Sequence, residues 1–111
     1  MKYKRDDKGE VTILRLEGKL MGGPDADEFK RVVKELVGED RTSVLVDMSK
    51  VSWVNSTGLG ILISNFTTVK NNGGTLKLMG VNQRIDQIFM VTKLHTIFET
   101  FDDEASALAS F

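Results

Sequence analysis

Apolar residues along the chain recur with two spacings, and these predict strands and helices in alternation. Apolar residues that alternate with polar ones, or that form a short continuous run, predict strands at 3–5, 11–18, 43–48, 75–81 and 96–101. Apolar residues three and four positions apart predict helices at 22–40, 56–70, 82–94 and 102–111. The turn "DDKG" is expected to join the first two strands as a hairpin.

The alternation of strand and helix predicts βαβ crossovers, and therefore an α/β domain with a mainly parallel sheet. The 111 residues suit one domain, spanning 1–111. Functional loops of such sheets lie beyond the carboxyl ends of the strands. The segment "SKVSWVNSTG" leaves the central strand at that end, just after Asp47, so function is expected there.

Each predicted helix carries one apolar stripe that should face the core. The stripe of the first helix comprises Ala26, Phe29, Val32, Val33, Leu36 and Val37. Those of the later helices comprise Leu59, Leu62, Ile63 and Phe66; then Ile85, Ile88, Phe89 and Thr92 or Lys93; and finally Leu108 and Phe111. Pro24 suits the first turn of the first helix and Gly38 its end. Core positions are also predicted for Met48, Trp53, Met79 and Met90.

Composition and charge exclude several function classes. Fifteen Lys and Arg oppose 16 Asp and Glu, so nothing suggests a nucleic-acid surface. There is no cysteine, which excludes disulfides and thiol chemistry. No apolar run approaches the roughly 18–20 residues of a membrane span, and the charged N-terminus does not resemble a signal peptide. We therefore expect a cytoplasmic protein without membrane or nucleic-acid partners.

The stretch "NSTGLGILIS", Asn55 to Ser64, has an unusual composition for a helix start. Gly58 and Gly60 lie where the first turn should form, and glycine inside a helix costs about 1 kcal/mol relative to alanine. A helix cap formed by Asn55 or Ser56 accounts for the polar residues but not for the glycines. Glycines expose backbone and let another chain come close, so the pattern favours a modifiable interaction surface beside an accessible hydroxyl.

Catalytic and cofactor motifs are incomplete. A dinucleotide motif lacks its third glycine, because Ile63 stands there, and a serine-hydrolase elbow lacks its first glycine at Val54. His95 is the only histidine and has no evident catalytic partner, and Asp102-Asp103-Glu104 suits a negatively charged helix start. We predict no enzyme activity, no cofactor and no metal site.

The segment "SVLVDMSKVSWVNSTGLGILIS" resembles the signature of STAS domains of the bacterial anti-sigma factor antagonist type. That signature is an apolar strand ending in Asp, a short turn, an acidic or amide residue, two hydroxyl residues, Gly-Leu-Gly and an apolar helix. The positions that match are Asp47, Ser49, Val51, Trp53, Val54, Asn55, Ser56, Thr57, Gly58, Leu59 and Gly60. The similarity extends over nearly the whole chain.

The resemblance implies a four- to five-stranded mixed sheet with about four helices. It also implies an antagonist that binds an anti-sigma factor with serine-kinase activity, is released when Ser56 is phosphorylated, and is reset by a serine phosphatase of the PP2C type. The implied partner-binding residues are Met21, Gly22, Gly23, Asn55, Ser56, Thr57, Gly58, Leu59 and Gly60. A monomer or weak dimer is expected.

Two departures from the family pattern leave alternatives open. Asn55 stands where many antagonists have Asp, and aligning the loop Met21–Gly23 needs about a one-residue insertion. One alternative is a STAS scaffold without phosphorylation control, in a signalling complex or beside a transporter. Another is a nucleotide or small-ligand binder that uses the helix N-terminus.

Overall fold

Five strands and four helices follow one another in the computed structural model, which describes residues 1–111. They are β1 (Lys2–Lys8), β2 (Val11–Leu20), α1 (Pro24–Gly38), β3 (Ser43–Val54), α2 (Ser56–Asn71), β4 (Thr75–Met79), α3 (Gln83–Val91), β5 (Thr100–Phe101) and α4 (Glu104–Ala109). The strands lie in sequence order, β1 antiparallel to β2 and the others parallel. This confirms the predicted α/β class with a mixed, mainly parallel sheet.

The two faces of the sheet are covered unequally. Helices α1, α2 and α3 lie on one face, over a core cluster of 21 buried residues. Only the short α4 lies on the other, over the five buried residues Val11, Ile13, Leu45, Met79 and Ala107. Alternate residues of the central strand enter the two clusters, which explains its continuous apolar run. None of the helices has both the length and the apolar character needed to cross a membrane.

The first three strands are longer than the sequence predicts. β1 continues to Lys8, so the hairpin turn is Gly9–Glu10 and not "DDKG". β3 runs to Val54, because its pairing with β2 resumes after irregularities near Arg15 and Gly18. Val51 and Val54 are buried in this extension. The segment predicted as a loop after the central strand is thus largely strand.

The predicted strand at 96–101 is wrong except for Thr100–Phe101. A 3₁₀ turn, Leu94–Thr96, precedes it, and Leu94 is buried in the main core. Phe98 packs edge-on against Phe66, with ring centroids 5.2 Å apart. Side-chain packing against α2 and α3 therefore holds residues 94–98, and hydrogen bonding to β4 begins only at Glu99, whose carbonyl accepts the Leu78 N–H at 3.0 Å.

Two apolar residues predicted to be buried are exposed. Phe111 is 37% exposed, and its ring lies 5.0 Å from the ammonium of Lys77, which also donates to the Ser110 carbonyl at 2.8 Å. The core prediction for Met90 is wrong because its side chain is 55% exposed on the outer side of α3. Leu108 of α4, by contrast, is partly buried against the five-residue cluster.

Helix α1 agrees closely with its predicted stripe. Four of the six stripe residues are buried, namely Phe29, Val32, Val33 and Leu36. The helix ends at Gly38, which confirms the predicted end. The chain leaves the helix through Asp40, which has φ 59°.

Helix α2 turns a different face to the core than its apolar residues predict. Its buried residues have regular helical spacing, and they are Gly58, Ile61, Leu62, Asn65 and Val69. Leu59, Ile63 and Phe66 are only partly buried. The core face passes through a glycine and through Asn65, whose amide donates to the Ile61 carbonyl at 2.9 Å, so apolar spacing alone did not reveal it.

The burial of Gly58 depends on a close approach between the start of α2 and the end of β2. A Cβ atom built on Gly58 would lie 1.9 Å from the carbonyl oxygen of Leu20 and 2.9 Å from Val54 Cγ1. Real side chains do not tolerate such distances, and the oxygen belongs to backbone that cannot rotate away. Only glycine lets α2 begin at this depth.

A polar cluster lies on the face that α4 covers in part. Arg15 forms ion pairs with Asp6 at 2.9 Å, Asp47 at 3.0 Å and Glu104 at 2.8 Å, so it ties three strands to the start of α4. Burial of Asp47 favours the neutral acid, but hydrogen bonds from the Ser49 hydroxyl and N–H and from Arg15 outweigh it. They hold the pKa of the Asp47 carboxyl below its usual value.

The two glycines of α2 should respond in opposite ways to alanine. Gly58→Ala must displace helix or strand backbone and should lower the free energy of unfolding by about 3 kcal/mol. A Cβ on Gly60 meets no atom within 4 Å, so Gly60→Ala should raise it by about 0.5–1 kcal/mol. Urea unfolding followed by circular dichroism measures both. Equal effects of the two substitutions would contradict the packing role of Gly58.

The stabilising effect of Asp47 should depend on pH. Because its pKa is lower in the folded than in the unfolded chain, its contribution is present at neutral pH and is lost as the pH falls below about 4. Asp47→Asn should cost about 2 kcal/mol at pH 7, and the difference from wild type should shrink by pH 3. Urea unfolding at both pH values tests this, with the exposed Asp102→Asn as control. A gap that is independent of pH would refute the ionised role.

Candidate functional site

Of the two residues predicted as possible caps of α2, the cap is not Ser56 but Asn55. Its backbone is extended, with φ −93° and ψ −177°, and its side-chain oxygen accepts the Gly58 N–H at 2.8 Å. Its own N–H donates to the Leu20 carbonyl at 3.4 Å. Asn55 and Gly58 thus meet the same carbonyl, and the cap and the buried glycine together fix where the helix begins.

Ser56 is the first residue of α2 and is exposed. Because Asn55 supplies the cap, the Ser56 hydroxyl is not needed to satisfy the helix end. No acidic residue lies in the first turn of α2, so the positive end of the helix dipole is not compensated there. An added negative charge on Ser56 would lie at this positive end.

The loop between β2 and α1 reaches the start of α2. Gly22 has φ 114°, and a Cβ on it would lie 2.8 Å from the Thr57 methyl carbon. Gly23, with φ 66°, directly precedes α1, and the Met21 side chain is 44% exposed beside them. The structure therefore brings together two predicted site segments that are more than thirty residues apart in sequence.

The predicted partner-binding residues divide into exposed and buried ones. Gly58 lies beneath the Leu20 carbonyl, so the prediction that it contacts a partner is corrected: it positions the helix. Asn55 acts as the cap, and Leu59 packs against the core, partly buried. The remaining residues, here called the Ser56 surface, are the half-buried Gly22 and the exposed Met21, Gly23, Ser56, Thr57 and Gly60.

A groove that the sequence did not reveal lies at the same edge of the sheet. Trp53 is half-exposed and not a core residue, and the Arg84 guanidinium carbon lies 4.6 Å from the centroid of its ring. The groove encloses about 380 Å³ and is lined by Trp53, Arg84, Gln87, Ile88, Val91 and Thr92. The available signal was a second α3 stripe, Arg84, Ile88 and Val91, beside the buried Ile85 and Phe89.

The residues considered as catalytic or metal-binding candidates make contacts within the fold. His95 is exposed, with Nδ1 3.3 Å from the Phe89 carbonyl oxygen. Asp103 caps α4 by accepting the Ser106 N–H at 2.8 Å, and hydrogen bonds from the Ser106 backbone and hydroxyl lower its pKa. No group of three or more His, Cys, Asp or Glu residues is placed to hold a metal ion. A free hydroxyl, bare backbone and an apolar groove are features that suit protein binding.

Residues 3–107 match the family model described as STAS domain. The chain is 33% identical over 63 residues to the anti-sigma-B factor antagonist of Bacillus subtilis, a match that covers 57% of this chain and 58% of that protein. The match therefore spans less than two thirds of the relative's length.

Two solved structures show the same fold. A candidate anti-sigma factor antagonist of Thermotoga maritima has a TM-score of 0.88 at 21% identity, covering 97% of this chain and 92% of that one. The Bacillus cell fate determinant SpoIIAA, in its phosphorylated form, has a TM-score of 0.76 at 13% identity, covering 99% and 100%. The family model matches nearly the whole sequence, and the fold agrees with it, so the chain belongs to the STAS domain family.

Proposed function

We propose that the chain is an anti-sigma factor antagonist that binds an anti-sigma factor with serine-kinase activity through the Ser56 surface. Phosphorylation of Ser56 by that kinase then releases it. The observation that carries the proposal is the exposed Ser56 hydroxyl at an uncompensated helix N-terminus, beside backbone that lacks side chains. The kinship to the anti-sigma-B factor antagonist of Bacillus subtilis supports it.

Gly60 supports a binding role because the fold does not require it. It is exposed, and a Cβ atom on it would meet nothing within 4 Å. A helical glycine nevertheless costs about 0.5–1 kcal/mol relative to alanine. A partner that lies directly against the helix backbone one turn beyond Ser56 would account for the missing side chain.

Electrostatics explains how phosphorylation can release the partner without disturbing the antagonist. A phosphate brings about −1.5 to −2 charges at neutral pH, and the helix N-terminus stabilises a nearby negative charge by about 0.3–1 kcal/mol. At an interface, the same group loses water and costs several kcal/mol unless a cation meets it. Since 1.4 kcal/mol is tenfold in affinity, this penalty is sufficient for release.

The proposed cycle of binding, phosphorylation and release needs further components. A serine phosphatase of the PP2C type would remove the phosphate, and the antagonist would act without catalysis, as a monomer or weak dimer in the cytoplasm. The solved phosphorylated form of SpoIIAA is consistent with a STAS fold that accepts a phosphate. For the present chain, the space around Ser56 supports the same modification.

A second candidate is a STAS scaffold that binds its partner without phosphorylation control. Asn55 favours it, because a neutral amide replaces the carboxylate found there in many antagonists. The Asn55 oxygen already accepts the Gly58 N–H, and its amide nitrogen can only donate. An amide oxygen is too weakly basic to take up the Ser56 hydroxyl proton, so Asn55 cannot serve as the base that a carboxylate would supply. The two candidates differ in whether charge at position 56 controls binding.

Charge at position 56 should control affinity. Ser56→Asp should weaken binding to the anti-sigma factor at least tenfold, whereas Ser56→Ala should bind within about twofold of wild type. Calorimetric titration against each anti-sigma factor kinase of the source genome measures this. Ser64→Asp, an exposed position on the same helix, is the matched control and should bind like wild type. Equal binding by the Asp and Ala variants at position 56 would favour the unswitched scaffold.

A carboxylate at position 55 should accelerate phosphorylation. In Asn55→Asp one oxygen can keep the cap while the other accepts the Ser56 hydroxyl proton, so the rate should rise severalfold. Asn55→Ser keeps a capping oxygen without the charge and serves as control. Incorporation of phosphate from ATP, followed over time with the kinase, measures the rate. Equal rates for the Asp and Ser variants would rule out this role for the charge.

A further inference from the structure

Exposed apolar residues gather at the end of α3 without a role in the fold. Val91 is 85% exposed and Met90 55% exposed, although both are large apolar side chains. Ile88 and Val91 form one wall of the Trp53–Arg84 groove, and the Trp53 ring forms another part of it. Buried Ile85 and Phe89 already anchor α3 to the core. The fold therefore leaves the apolar surface of this groove unburied.

Arg84 adds an unpaired cation to this groove. Nine pairs of opposite charges lie within 4.0 Å of each other in the chain, and none includes Arg84. Its guanidinium lies over the Trp53 ring. A guanidinium in this position keeps N–H groups that no acidic side chain of the fold engages, and a guanidinium can donate two parallel hydrogen bonds to one carboxylate. The groove thus offers an apolar floor and, in Arg84, hydrogen-bond donors for one carboxylate.

The groove lies near the Ser56 surface. Trp53 precedes Ser56 by three residues, so their Cα atoms are at most about 11 Å apart. The Asn82 amide, which precedes α3, donates to the Val51 carbonyl at 3.1 Å and ties this helix to the end of β3. The N-termini of α2 and α3 therefore lie at one edge of the sheet. One partner can span both.

We propose that the Trp53–Arg84 groove is a second docking element for the anti-sigma factor. It takes a partner segment that carries an aliphatic side chain next to a carboxylate: the aliphatic group packs on Trp53 and Val91, and the carboxylate pairs with Arg84. This proposal rests on the proposed function, since the same partner occupies the Ser56 surface. It adds a contact that phosphorylation does not remove.

Reversing the charge and polarity of the groove should weaken the complex. The double variant Arg84→Glu/Val91→Asp changes two exposed side chains, and it should bind the anti-sigma factor at least about tenfold more weakly than wild type. Lys34→Glu/Ala105→Asp makes the same kinds of change at exposed positions of α1 and α4 and should bind normally. Circular dichroism melting confirms that both variants fold.

Trp53 also supplies a direct readout, because it is the only tryptophan. Labelling with 5-fluorotryptophan gives this chain one fluorine resonance, whatever the partner contains. That resonance should shift when the unlabelled anti-sigma factor is added. Sedimentation of the free chain at the same concentrations records self-association.

The outcomes separate the two proposals. If wild type binds and Ser56→Asp does not, while the groove variant binds normally or the Trp53 resonance stays unchanged, the groove proposal is overturned and the proposed function stands. If the groove variant changes only self-association, a second copy of the chain is the occupant and the proposal is again wrong. If wild type binds no anti-sigma factor, the proposed function fails and the groove proposal with it.

Discussion

The arrangement of the site depends on one contact between backbones, that of Gly58 with the Leu20 carbonyl. No side chain fits between them, since a Cβ would lie 1.9 Å from the oxygen. The contact sets the depth at which α2 meets the sheet. It also turns Ile61, Leu62 and Val69 into the core. Asn55 caps the helix by accepting the Gly58 N–H, and its own N–H donates to the Leu20 carbonyl, so Ser56 is left outside as the first free hydroxyl.

The molecule separates the groups that hold it together from those that can bind. The ion pairs of Arg15 with Asp6, Asp47 and Glu104 lie on the sheet face that α4 covers in part. The first turn of α2, by contrast, has no carboxylate. A negative charge added at Ser56 is therefore not repelled by an acidic residue in that turn. It would act mainly on the affinity for a partner bound at Ser56. The proposed switch relies on this separation, because a phosphate on Ser56 would then act on binding and leave the ion pairs of Arg15 intact.

Sequence periodicity was sufficient for the architecture because each strand and long helix carries its own local pattern. The alternation from β2 to α3 predicted the parallel sheet, and "NSTGLG" directed attention to the edge of the sheet where α2 begins. Local patterns could not show why Gly58 is a glycine, since the reason is a carbonyl 38 residues earlier in the chain. They also misjudged Trp53, whose surroundings depend on where α3 packs. Both errors concern contacts between distant segments.

Mapping of the phosphorylated residue decides whether Ser56 is the switch. The protein is incubated with the anti-sigma factor kinase that binds it and ATP, and the modified residue is located by mass spectrometry. A switch at Ser56 requires phosphate on Ser56, and we expect Thr57 and Ser64 to be unmodified. Phosphate on another residue, with Ser56 untouched, would contradict it.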